Sequence, residues 1–185
     1  MEPPDTAAGN KLKWRFWIFV CVALLFICWM KYYLAPFQSG DIVKYEMAKT
    51  TDSATSLIHL WTQNGKINFV LKSIYVDFIF IVIYCLAINA SCRYMSILTK
   101  NSILIKAGFF FSYLILLAGL FDVIENMAML KSLQQAVTYS NVSLAYRMAI
   151  SKFSIILMTL FFIAVCFIFW LVSIIPGKET SWKRV

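Results

Sequence analysis

From Phe153 to Ile175 the chain runs for twenty-three residues without a charge. A helix of that length rises about 34 Å, sufficient for the ~30 Å hydrocarbon core of a bilayer. Three further runs have the same character. Phe16–Met30 is fifteen uncharged apolar residues, and Ser73–Cys92 is twenty residues with Asp77 as the sole charge. The third extends from about Ile103 to Leu130 and is uncharged from Ala107 to Phe121. Lipid offers no partner to backbone N–H and C=O groups, so each run must satisfy its own as a helix. Composition agrees: 61% of residues are hydrophobic and 14% charged, against about 45–50% and about 25% in soluble domains. The expectation is an all-α integral membrane four-helix bundle. Its spans lie at about 14–35, 73–92, 103–130 and 153–175, and residues 1–185 form a single transmembrane domain.

The net charge of +8 does not point to nucleic acid, because the basic residues fall in ones and twos at the ends of apolar runs. Lys11, Lys13 and Arg15 precede the first run, Arg93 and Lys100 follow the second, and Lys183 and Arg184 close the chain. Nucleic-acid binding requires a stripe or patch instead. With the N-terminus inside, the inner segments hold nine Lys/Arg in about forty residues and the outer segments eight in about sixty-four. The bias is greatest beside the first span, which usually dominates orientation. Both termini of this multi-pass protein are therefore placed in the cytoplasm. The basic start before an apolar run also resembles a signal peptide, but the chain continues Cys28-Trp29-Met30-Lys31 without a small-x-small cleavage site, which favours an uncleaved first span.

Residues 36–72 are the longest polar segment, and they carry helical signals. Thr51-Asp52-Ser53 offers an N-cap for a helix through Trp61, and Asn64-Gly65 its stop. Gly40-Asp41 can open a second, earlier helix through Ala48. Short extracytoplasmic helices are expected between the first two spans. Residues 131–152 are polar with scattered apolar positions, and read as helix on both sides of a turn near Ser140-Asn141. Pro176-Gly177 ends the last span.

The chemistry sits in Ala118-Gly119-Leu120-Phe121-Asp122-Val123-Ile124-Glu125-Asn126. Asp122, Glu125 and Asn126 are spaced i, i+3 and i+4, one face of a helix. Asp77 lies one turn inside the outer end of the second span, and the third span returns to the same side. Three carboxylates from neighbouring antiparallel helices thus converge at one depth. A single Asp at the centre of a span costs about 2.5–3.5 kcal/mol on insertion scales, and clustered carboxylates cannot all remain ionised in a dry site. Tyr84 and Asn126 are hydrogen-bonding candidates, and Lys31, Lys72 and Lys131 candidate cations at the rim. The expected ligand-binding set is Asp77, Tyr84, Asp122, Glu125 and Asn126. The competing view treats the same groups as interhelical glue.

Other polar groups carry less. Ser73, Asp77, Tyr84 and Ser91 share a face, and Thr159, Cys166 and Ser173 form a heptad that reads as a small-residue packing seam. The five cysteines are odd in number and lack metal-site spacing. His59 cannot build a metal site alone. No catalytic residue, metal or cofactor is assigned. Asn141-Val142-Ser143 matches a glycosylation sequon in an outer loop, and Asn89-Ala90-Ser91 matches one inside a span.

Asp77-Phe78-Ile79-Phe80-Ile81 with Tyr84, taken together with the Ala118–Asn126 stretch, resembles paired motifs in small, uncharacterised four-span bacterial inner-membrane proteins. The resemblance covers roughly positions 41 to 130. It implies the fold, a helical outer segment and a bacterial membrane, and it implies no activity. Acids drawn from neighbouring spans are also a feature of four-span sterol-isomerase-like proteins, whose pocket histidine this chain lacks. Several readings stay open. One is a membrane protein holding a lipid, cation or amphipathic molecule in an acidic pocket near the outer leaflet. Another is an interaction protein, an immunity factor or assembly subunit, with a protein partner or a second copy as its ligand. The others are an intramembrane enzyme with a carboxyl general acid and a proton-coupled transporter acting as a dimer.

Overall fold

The computed structural model describes residues 7–34 and 39–174. Pro36, the stop at Pro176-Gly177, the basic tail and the first six residues lie outside them. The described residues form six helices and no strand: α1 (Ala7–Tyr33), α2 (Ser39–Glu46), α3 (Thr51–Gln63), α4 (Ile67–Leu98), α5 (Ser102–Gln134) and α6 (Tyr139–Ile174). Four of them, α1, α4, α5 and α6, are long and apolar enough to cross a membrane. The protein is an all-α membrane helical bundle.

α4, α5 and α6 form the centre, each antiparallel to the next, while α1 lies along the outer face of α4. Ring contacts hold α1 there: Phe16 stacks on Tyr94 at 4.9 Å and Phe26 on Phe80 at 6.0 Å. α4 and α5 approach closely at two glycines. A Cβ on Gly119 would lie 2.5 Å from Sγ of Cys85, and one on Gly108 would overlap the Ser96 side chain. The turn between these helices is only Thr99–Asn101. Asn101 caps α5 by accepting from the amides of Ile103 (2.9 Å) and Leu104 (3.2 Å), and Lys100 takes a left-handed φ of 55°. Such a cap satisfies amides that have no partner within the helix.

The central helices outrun any bilayer. With 32, 33 and 36 residues they are about 48–54 Å long. Their surplus lies at the end where α2 and α3 pack. There Tyr45 and Trp61 from α2 and α3 join Val70 and Ile74 of α4, Met129 of α5, and Val142 and Ala145 of α6 in one buried core. That core is a small cap on top of the spans. Both helices expected between the first two spans are present, and the cap of α3 falls one residue before the expected Thr51-Asp52-Ser53: Thr50 accepts from the Ser53 amide at 3.2 Å, and Asn64 with Gly65 (φ 64°) ends the helix. One expectation shifts: the turn before the last span falls at 136–138, ahead of Ser140-Asn141, and the helix beyond it runs unbroken from Tyr139 into the span. Val142, Ala145 and Ala149 give its first turns a buried face, so cap packing holds them helical although their composition is polar.

Candidate functional site

The site lies where the cap meets the apolar runs. On α5, Asp122 follows the last uncharged turn, and Asp122, Glu125 and Asn126 all face inward and are buried. Lys152 of α6 meets them from the side and is only 4% exposed. Its Nζ donates to Oδ1 of Asp122 at 2.6 Å, lies 2.9 Å from Oε2 of Glu125, and is 3.7 Å from Oε1 of Glu46 at the end of α2. The ammonium also sits 5.0 Å from the centre of the Phe153 ring.

From α4 two further groups complete the layer. Tyr84 donates its hydroxyl to Oδ2 of Asp122 at 2.9 Å, so both oxygens of that carboxylate are taken. Asp77, half-buried, accepts from the amide of Asn126 at 2.7 Å. The layer thus ties α2, α4, α5 and α6 together through charged or hydrogen-bonded side chains. One positive charge faces four carboxyl groups, those of Glu46, Asp77, Asp122 and Glu125. Carboxylates packed this closely in a water-poor layer cannot all ionise, so protons or an added cation must balance them. For Glu46, which belongs to the cap, burial pushes the carboxyl above the ordinary carboxylate range. The Lys152 charge opposes this rise and the Asp122 charge reinforces it.

A half-open cavity of about 550 Å³ runs down from this layer between α1 and α6, with α4 as its floor. Its polar end is bordered by Glu46, Asp77, Tyr84, Asp122 and Lys152. Its walls are apolar except for Ser91 of α4: Val20, Ala23, Leu24 and Ile27 come from α1, Phe80, Ala87 and Ile88 from α4, and Phe153, Ile156 and Leu160 from α6. Sites for small molecules commonly have this size and this apolar lining with a few convergent polar groups. Among the described residues no three His, Cys, Asp or Glu side chains form a group suited to a metal ion. A second, shallow depression on α3 is lined by Thr55, Ser56, His59, Leu60 and Gln63, with His59 exposed.

Of the residues expected from the sequence, Asp77, Tyr84 and Asp122 border the cavity. Glu125 and Asn126 do not. Glu125, fully buried, stands behind Lys152, and Asn126 orients Asp77. Ser73 and Ser91 bond back to their own helix, at Val70 and Ala87. The expected rim cations do not reach the acids: Lys31, Lys72 and Lys131 are all exposed, and Lys72 lies over the ring of Phe69 instead. The partner is Lys152, at the end of the polar segment 131–152. The missed signal is periodicity. Lys152 stands one heptad before Thr159 and Cys166, both fully buried, so the inward seam of α6 extends back through it. Glu46 offered no comparable signal, because α2 is too short to show a period.

No protein-family model, curated protein or solved structure matches the chain.

Proposed function

We propose that this membrane protein binds an amphipathic molecule or membrane lipid, with the polar head at the Asp77–Asp122–Lys152 layer and the apolar part between α1 and α6. The observation that carries this reading is the cavity's two-ended chemistry: five charged or hydroxyl-bearing side chains at one end, and along the rest apolar walls broken only by Ser91, whose hydroxyl donates back to the carbonyl of Ala87. Helix glue alone explains the ion pairs, but it leaves a 550 Å³ space beside them unaccounted for. Tight interhelical hydrogen bonding would close such a gap, since interiors pack densely.

Native mass spectrometry of the full chain, extracted gently from membranes, tests the reading. A retained amphiphile is expected in the natural protein, and its loss is expected in Ala23→Trp, which places an indole against the apolar wall. Equal masses of bound material in both proteins, or none in either, would defeat it.

The proposed setting is a bacterial inner membrane with both termini cytoplasmic, which puts the polar end of the cavity in the outer leaflet. Basic residues beside the first span support this orientation. A Gln63→Cys variant should react with a membrane-impermeant maleimide in intact cells. Labelling only after lysis would reverse the orientation and leave the binding reading intact.

A further inference from the structure

Two carboxyl groups at the polar end of the cavity, those of Glu46 and Asp77, are short of positive charge. Glu46 borders the cavity and is 7% exposed, and its Oε2 accepts no hydrogen bond among the described residues. Asp77 borders the same end, and its Oδ2 is held by the uncharged amide of Asn126. Among the described residues no cation comes within ion-pair distance of Asp77. Lys152 does not supply the deficit. Its one charge is shared between Asp122 and Glu125 at 2.6 and 2.9 Å, and it stands 3.7 Å from the other oxygen of Glu46.

We propose that Asp77 and Glu46 form a subsite for the ammonium group of an amine-bearing amphiphile, whose alkyl part lies along the walls that α1 and α6 provide. This rests on reading the cavity as an amphiphile site and names the headgroup. An anionic head would meet excess negative charge with the nearby lysine already committed. A divalent cation would require a closer set of ligands than the described residues form. A quaternary ammonium carries no N–H, so it would leave Oε2 of Glu46 without a donor; such heads are recognised by cages of aromatic faces. A primary ammonium brings three N–H donors together with the positive charge that the layer lacks. Below the layer, Lys152 and Leu160 are separated by about 12 Å of helix rise, and the wall between them contributes Phe153 and Ile156. An extended alkyl chain fits that direction.

The ammonium has two sources, a free alkylamine and the ethanolamine head of a lipid, and the test separates them. Full-length protein in neutral detergent micelles is titrated by calorimetry with dodecylamine, with dodecanol, and with short-chain phosphatidylethanolamine and phosphatidylglycerol. Dodecylamine is expected to bind at least tenfold more tightly than dodecanol. Asp77→Asn and Glu46→Gln should each reduce that ratio towards one while dodecanol affinity stays unchanged. The same Asp77-dependent preference for phosphatidylethanolamine over phosphatidylglycerol identifies a lipid head as the source. Its absence beside a retained dodecylamine preference identifies a free amine. Equal affinity for amine and alcohol, or a preference that both variants retain, overturns the ammonium subsite but not the cavity reading, provided Ala23→Trp abolishes both. If neither compound binds, or Ala23→Trp changes nothing, both inferences fail together. Asn and Gln keep the size of the residues they replace, and circular dichroism of each variant checks that the fold is retained.

Discussion

Lys152 and Asp122 lie thirty positions apart in the chain, on different helices, and their Nζ and Oδ1 atoms are 2.6 Å apart in a layer where both residues are 4% exposed. This pair fixes how α6 sits against α5 at the depth where the cap gives way to the apolar spans. Glu125 and Glu46 share the same ammonium, so removing it strands several acids at once.

Lys152→Met is therefore expected to destabilise the protein by about 3–5 kcal/mol, the usual result of leaving buried charge without its partner. Adding Asp122→Asn and Glu125→Gln should recover most of that loss by removing the charges left behind. Thermal unfolding in detergent reads both effects. A single variant as stable as the natural protein would show that the ion layer does not hold the helices.

Tyr84 reaches the same carboxylate from α4. Tyr84→Phe removes the only hydroxyl donor to Oδ2 of Asp122 among the described residues, and hydrogen bonds to charged groups contribute about 1.5–3 kcal/mol. A loss in that range is expected in the natural background and a smaller one beside Asp122→Asn. Equal losses in the two backgrounds would mean the phenol acts by packing alone.

The two close glycines differ in what they face. At Gly119 an added methyl meets the Sγ atom of Cys85, the end of a side chain; at Gly108 it meets both the Ser96 side chain and the backbone oxygen of Cys92 at 2.9 Å. Overpacking costs about 1–3 kcal/mol when the neighbours can shift. Gly119→Ala should fall within that range and be rescued by Cys85→Ala. Gly108→Ala should be worse, and Ser96→Ala should not rescue it, because the Cys92 carbonyl and the residue 96 Cβ remain in place. Melting midpoints of the four variants decide the order.

Glu46 makes the cap sensitive to pH. Burial raises its pKa, with Lys152 from α6 opposing and Asp122 from α5 adding to the rise, and with the Glu125 carboxyl facing it from α5. A raised folded-state pKa means the folded form holds the proton more tightly than the unfolded one. The resulting stability is complete below the ordinary carboxylate value of about 4.3 and is lost as pH climbs through the raised value. The melting midpoint should decline with pH over that window more steeply in the natural protein than in Glu46→Gln, which cannot ionise. Parallel profiles would remove Glu46 from the balance.

Much of this architecture is legible from residue order alone. Four apolar runs prescribe four spanning helices because unpaired backbone groups are intolerable in lipid. The Thr51-Asp52-Ser53 signal and the Asn64-Gly65 stop mark α3 to within a residue, the cap itself falling on Thr50. The i, i+3, i+4 spacing places Asp122, Glu125 and Asn126 on one face of α5. What local pattern could not supply was the choice of partner. Lys31, Lys72 and Lys131 border apolar runs as plausibly as Lys152, and a scan of hydropathy treats Lys152 as the edge of a polar loop. Only the packing of α6 against α5, and of α2 over their ends, selects that lysine and draws in Glu46. Helices and caps arise from neighbours in sequence, whereas a charge can be buried only where groups far apart in the chain meet to balance it. That balance, and the cavity left between α1 and α6, belong to the tertiary structure.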